Sequence, residues 1–107
     1  MATQVSETKL ASEVIELSAD MLSRLALGES FTTVASAMSV LIGDDPNPGD
    51  MLIGVAQLSG SVVTQQIQGG IVGNIYKLAL SARTDVNNIY INEIKLAILP
   101  DDAAIPA

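Results

Sequence analysis

Residues 74–82 read Asn-Ile-Tyr-Lys-Leu-Ala-Leu-Ser-Ala (NIYKLALSA), and their alternation decides the fold. Tyr76, Leu78, Leu80 and Ala82 fall on one parity, with Lys77, Ala79 and Ser81 on the other. A period of two marks a β-strand with one buried and one open face, because successive side chains leave an extended backbone on opposite sides. The pattern recurs upstream and downstream. Within Ser30 to Ile42, Val34, Met38, Val40 and Ile42 share one parity, on which Ser36 is the sole polar exception from Val34 onward. Val62 to Gln68 sets Val63 and Ile67 against Thr64 and Gln66. Ile89 to Leu99 sets Ile94, Leu96 and Ile98 against Glu93 and Lys95, until Pro100 removes a ladder donor and stops the run.

The segments between these runs carry turn chemistry. Gly43 to Asp50 (GDDPNPGD) holds two prolines, two glycines, three aspartates and an asparagine, which is a loop. Arg83 to Asn88 (RTDVNN) is a polar connection in which Asn87-Asn88 tolerates the positive φ of a tight hairpin. Gly69 and Gly70 supply positive φ for a turn, and Gly73 permits a close backbone approach just before the strand that Tyr76 opens. Tyr76 is placed to bury its ring and return its hydroxyl to the backbone. Four or five short strands separated by such turns predict an all-β fold, a small antiparallel β-sandwich.

The first quarter admits two local readings. Leu10, Val14, Leu17, Met21 and Leu25 recur at helical spacing in an Ala-, Glu- and Leu-rich stretch. Ile15, Leu17, Ala19 and Met21 also line one face of a strand.

Composition narrows the function. The chain has 107 residues and a formal charge of -7, from five Lys plus Arg against twelve Asp plus Glu. It contains no cysteine and no histidine, which excludes disulfide frameworks, zinc knuckles, histidine triads and thiol redox chemistry. An acidic chain lacks the basic surface that phosphate neutralisation needs, so nucleic acid is not an expected partner. Aromatics make up only 3%, too few for stacking platforms. The N-terminal stretch MATQVSETKLASEV has no apolar run of the kind that follows the charged start of a signal peptide. Between Glu29 and Lys77 the only charged side chains are Asp44, Asp45 and Asp50. Gln57, Ser59, Ser61, Thr64, Gln65, Gln66, Gln68 and Asn74 interrupt that neutral span too often for hydrocarbon, so no membrane is expected. Such a neutral surface fits a subunit covered by neighbours, or equally a sheet whose outer face is rich in Thr and Gln.

Two constellations could carry chemistry. Asp44, Asp45, Asn47 and Asp50 are oxygen ligands in one loop, but Ala56 stands where an EF-hand loop needs its closing glutamate, and Pro46 and Pro48 stiffen the segment. No metal or other cofactor is therefore expected. A two-carboxylate mechanism could draw on Glu13, Glu16, Asp20, Glu29, Asp85 or Glu93, yet a chain this small has little room for the cleft it needs. No catalytic residue is assigned. The uncharged strand Val62 to Gln68 is instead expected to present an open edge to other subunits, unless a loop or the N-terminal arm, Met1 to Ser12, covers that edge.

The segment Gly69-Gly70-Ile71-Val72-Gly73-Asn74-Ile75-Tyr76 resembles the G-G-x-x-G-x-x-Y segment of small bacteriophage tail and fiber-tail adaptor proteins with an immunoglobulin-like β-sandwich. Glu13 to Asp20 (EVIELSAD) looks like the first strand of that family, ahead of Glu29-Ser30-Phe31, and the similarity spans residues 13–99. The chain departs from the family at Met21 to Leu25, where an aromatic is common, and at Arg83 to Asn88, where a glycine is common. The loop GDDPNPGD and the following MLIGVAQLSG also differ. The resemblance implies strand for residues 13–20 and an immunoglobulin-like sandwich over 13–100, flanked by an N-terminal arm (1–12) and an acidic tail (101–107). It further implies a non-enzymatic virion protein, assembled in the host cytoplasm in several copies, that docks tail fibers to the tail tube or nozzle. A capsid cement or head-decoration protein on the major capsid protein, and a cellular immunoglobulin-like binding module, are the alternatives. Gly69, Gly70, Gly73 and Tyr76 are structural under all three.

Overall fold

The computed structural model describes residues 3–101. Seven strands succeed one another: β1 (Thr3–Leu10), β2 (Ile15–Asp20), β3 (Phe31–Ile42), β4 (Leu52–Ser59), β5 (Val62–Ile67), β6 (Ile75–Thr84) and β7 (Ile89–Leu99). They form a four-stranded sheet of order β1-β7-β6-β3 and a three-stranded sheet of order β2-β5-β4. Second, fifth and fourth strands facing third, sixth and seventh is the immunoglobulin-like arrangement, here with the first strand on the β7 side. The only helical elements among the described residues are short 3-10 turns at Leu22–Arg24 and Pro48–Met51.

The core lies between the two inner faces. Leu17, Met21, Val63 and Ile67 come from the smaller sheet and its exit turn. Met38, Tyr76, Leu78, Leu80, Ala82, Ile94, Leu96 and Ile98 come from the larger. All belong to one cluster. Each fully buried aliphatic of this kind contributes roughly 1.5–3 kcal/mol relative to exposure, so the alternation read in β6 and β7 is the main sequence determinant of the sandwich. The β6–β7 hairpin closes on Asn87 at φ 67, as its asparagines predict. The Asn87 N–H donates to Thr84 O (3.0 Å) and the Thr84 N–H to Asn88 O (2.9 Å).

Residues 15–20 are strand, not helix. β2 pairs antiparallel with β5, and Ile15, Leu17, Ala19 and Met21 face inward with period two. The helical spacing of Leu10, Val14 and Leu25 is overridden because a strand here supplies ladder bonds and core side chains together, and propensity is the weaker term.

Two expectations are corrected, the N-terminal arm and the open edge at Val62 to Gln68. The segment 1–12 is not an arm over its described part: Thr3 to Leu10 form β1, in parallel register with Asn92 to Leu99 of β7. The sandwich therefore begins at residue 3 and is not wholly antiparallel. Val62 to Ile67 are not an edge but β5, the middle of its sheet, hydrogen-bonded to β2 and β4. Its lack of charge follows from that central position, where charges serve no protective purpose. MLIGVAQLSG, a segment in which alternation along the chain predicts no element, contains a full strand, β4. Its alternation is masked because the register jumps between Ile53 and Gln57, with Gly54 at φ 67. Gln65 is buried, its amide donating to Ile53 O (3.0 Å) and Gln66 O (2.8 Å) beside that bulge and accepting from the Ser36 hydroxyl (2.6 Å). Residues 102–107 of the expected acidic tail lie outside the described residues; Asp101 accepts the Ser12 N–H at 2.9 Å.

Candidate functional site

The glycine segment builds a tyrosine corner between β5 and β6. Gly69, Gly70 and Gly73 adopt φ of 65, 97 and 90, a region that costs a side chain dearly. At Gly70 a Cβ would also meet Ile98 Cγ1 and Cδ1 at 2.8 Å, so this residue is needed both for its backbone and for its size. Tyr76 is fully enclosed. Its hydroxyl accepts the Ile71 N–H (3.0 Å) and donates to Asp45 Oδ2 (2.8 Å), with the Asn74 amide at 3.4 Å. The Asn74 amide also donates to Asp44 O (3.0 Å). The corner thus pins the 43–47 loop to the start of β6. Burial raises the Tyr76 hydroxyl above its ordinary 10.0, the Ile71 N–H opposes this, and Asp45 adds to it. All four residues singled out in the sequence come together at this end of the sandwich, as framework.

Of the candidate ligands, Asp45, Asn47 and Asp50 line one shallow pocket beside Gly69 and Gly70. Asp45 Oδ1 accepts the Asn47 N–H, while its other oxygen serves Tyr76. Among the described residues, no three Asp or Glu side chains stand close enough to hold a metal ion. Glu13 accepts the Leu10 N–H and Asp85 the Ser30 N–H. Glu16 lies on the outer face of the smaller sheet, opposite Gln66. Asp20 accepts from the Ser61 hydroxyl and the Leu22 N–H, which together lower its pKa. Glu93 pairs with Lys77 at 3.3 Å.

Glu29 and Lys9 are structural hubs that sequence reading missed. Glu29 receives the Ala26 N–H (2.9 Å), the Thr84 hydroxyl (2.8 Å), the Asn88 amide (2.8 Å) and the Tyr90 hydroxyl (3.1 Å). The Ala26 N–H and then Thr84 lower its carboxyl from 4.5 to about 2 against the cost of burial, with Asn88 and Tyr90 assisting. Tyr90 is held edge-on by Phe31 at 6.4 Å between centroids, and the Arg24 guanidinium lies 5.2 Å from its ring. Lys9 is buried and donates to Leu10 O (2.9 Å), Ala11 O (3.1 Å) and Gly69 O (2.7 Å). Burial lowers its ammonium from 10.5, and Glu13 and Asp101 oppose that shift. A lysine in a polar N-terminal stretch carries no local signal that it will cap a distant glycine carbonyl.

The surface with the strongest binding character is the outer face of the four-stranded sheet. Register places Ala35–Ser81–Ile91 and Ala37–Ala79–Glu93 in adjacent rows across β3, β6 and β7. Ile42, Ile89, Ile91 and Leu99 are exposed on or beside this face. Lys77, Arg83 and Lys95, three of the five cationic residues, share it. A solvated antiparallel face is ordinarily polar, and an apolar patch rimmed by charge is the usual character of a contact surface.

No family model matches this chain, and no curated protein matches it. Among solved structures it is similar to the 2,6-sialyltransferase of Vibrionaceae Photobacterium sp. JT-ISH-224 in complex with CMP and lactose, with a TM-score of 0.56 at 12% identity. The likeness covers 94% of this chain and 18% of that one, so this chain matches a small part of a much longer protein. At that identity the likeness is one of fold.

Proposed function

We propose that the protein is a non-enzymatic structural subunit of a tailed bacteriophage virion, an adaptor that docks tail fibers to the tail tube or nozzle through the outer face of its four-stranded sheet. The observation that carries this reading is that face: Ile89 and Ile91 exposed beside small residues of β3 and β6, rimmed by Lys77, Arg83 and Lys95. The resemblance at residues 69–76 and 13–20 supplies the setting. Absence of histidine and cysteine from the chain, and the structural engagement of most of its candidate carboxylates, support a role in assembly over one in catalysis.

The test is to locate the epitope-tagged chain in purified particles and to repeat the localisation with Ile91→Asp. Ile91 is 39% exposed, so the substitution leaves the core intact while placing a charge in the contact. Wild-type label at the tail and fiber-free particles from the variant are expected. Label on the head shell would replace the adaptor role by head decoration, and particles without the chain would remove the virion reading altogether.

A further inference from the structure

Each sheet has two edges, and three of the four are guarded. β1 carries Glu7 and Lys9, β2 carries Glu16 and Asp20, and β4 is interrupted by its bulge at Gly54. Charges and bulges are the devices that keep an exposed ladder from pairing with another chain. The edge strand β3 has neither along its middle. Its 12 residues, FTTVASAMSVLI, include no charge, proline or glycine, and among the described residues it is paired with β6 alone. Irregularities fall only at its ends, between Phe31 and Thr33 and between Val40 and Ile42, leaving Thr33 to Val40 in unbroken register. Alternate residues of that run direct N–H and C=O groups away from β6. Apolar surface collects beside them. A groove of about 250 Å³ is lined by Val34, Ser36, Leu52 and Val55, with Val55 75% exposed, and Leu41 and Ile42 are exposed at the far end.

We propose that β3 pairs antiparallel with β3 of a second copy across a two-fold axis at Ala37, joining the two four-stranded sheets into one. A two-fold axis perpendicular to the sheet keeps both cores on the same side, so opposed residues must share parity and the axis must fall on a residue. Placed at Ala37, it opposes Val34 with Val40, Ser36 with Met38 and Ala35 with Ser39. The two valines of the run then meet in the cross-strand pairing that favours β-branched residues, and no charge faces a charge. That neutrality selects a second copy: a chain of formal charge -7 repels itself through most of its surface, and this edge is where the repulsion is least. The pairing also sets two apolar outer faces side by side, but it does not rest on what those faces bind.

The experiment is sedimentation equilibrium of the full chain from micromolar to millimolar concentration, with Ala37→Lys, Ala37→Glu and their equimolar mixture. Ala37 is exposed in the single chain, so circular dichroism should match the parent, and unfolding midpoints should match it at concentrations low enough for the parent to be dissociated. The parent should approach twice the chain mass. Each variant should stay at single mass because like charges oppose directly on the axis, and the mixture should recover the dimer. Since the chain has no cysteine, introduced thiols report register. Ala37→Cys should cross-link under mild oxidation, and Ala35→Cys should cross-link with Ser39→Cys but not with itself, the two Ala35 positions being about 14 Å apart along the strands. A parent that is monomeric throughout, or a dimer indifferent to both charge variants, overturns the proposal.

Discussion

Replacing Tyr76 by phenylalanine removes one enclosed oxygen and keeps the ring that fills the core. In the parent that oxygen accepts the Ile71 N–H at 3.0 Å and donates to the Asp45 carboxylate at 2.8 Å. A neutral hydrogen bond is worth about 0.5–1.5 kcal/mol net, and one to a charged group about 1.5–3 kcal/mol. Asp45 is half-buried, so water takes over part of its loss. The substitution should therefore cost about 1.5–3 kcal/mol. At about 4–8 °C per kcal/mol for a domain near this size, a loss of ~2 kcal/mol lowers Tm by roughly 8–16 °C. Urea and thermal unfolding measure this, and a double-mutant cycle with Asp45→Asn isolates the hydroxyl–carboxylate pair, with an expected coupling of about 0.5–1.5 kcal/mol. The alkaline limb supplies an independent readout. Because burial raises the Tyr76 pKa, the folded chain holds that proton more tightly than the unfolded chain. Its contribution is intact below the ordinary value of 10.0 and is lost as pH rises through the folded value. Tyr76→Phe should flatten that fall. A variant within about 0.5 kcal/mol of the parent, with an unchanged alkaline limb, would falsify the corner as a stabilising element.

Three further outcomes follow from the framework. Glu29→Gln should destabilise the protein at neutral pH, and the difference from the parent should shrink as pH falls from 4.5 towards about 2, because the depressed carboxyl stabilises the fold only while ionised; acid titration followed by circular dichroism reads this. Gly70→Ala should cost about 2–4 kcal/mol, since it combines a left-handed backbone with a clash at Ile98, whereas Gly69→Ala, open to solvent, should cost about 1–2 kcal/mol in the same denaturant series. Lys9→Met keeps the apolar stem but leaves three carbonyls without their donor, for a loss of about 1–3 kcal/mol and faster amide exchange around β1.

Much of the inner face of the larger sheet was legible because burial there follows the chain's own alternation. Parity alone sets Val34, Met38, Val40, Ile42, Tyr76, Leu78, Leu80, Ile94, Leu96 and Ile98 inward; Met38 and the six β6 and β7 residues are buried in the core, Val34 and Val40 pack against it, and Ile42 is instead 58% exposed because the register shifts between Val40 and Ile42. The glycine turns and the asparagine hairpin were legible for the same local reason: only certain residues tolerate positive φ. β4 was not, because its bulge destroys the period on which a strand is recognised. Nor was β1, whose most buried side chain among the described residues is a lysine. Glu29 and Lys9 gained their roles from partners 55 to 61 residues away, a distance no spacing rule spans.

The edge is the clearest division between the two sources. Absence of charge marks Val62 to Gln68 as an open edge in the sequence, but tertiary structure buries that strand, β5, between two neighbours. Alternation along a chain says which side of a strand faces inward, since that is set by the backbone's own twofold repeat. It does not say which strand lies beside which, because strand order is decided by crossovers and by the packing of one sheet on the other. The chain thus determined that it makes strands, where most of them turn and which faces of the larger sheet they bury. Only the assembled sandwich decided that β3 is the unguarded edge, that Thr3 to Leu10 pair with β7, and that a buried lysine and a buried glutamate each tie one end of it.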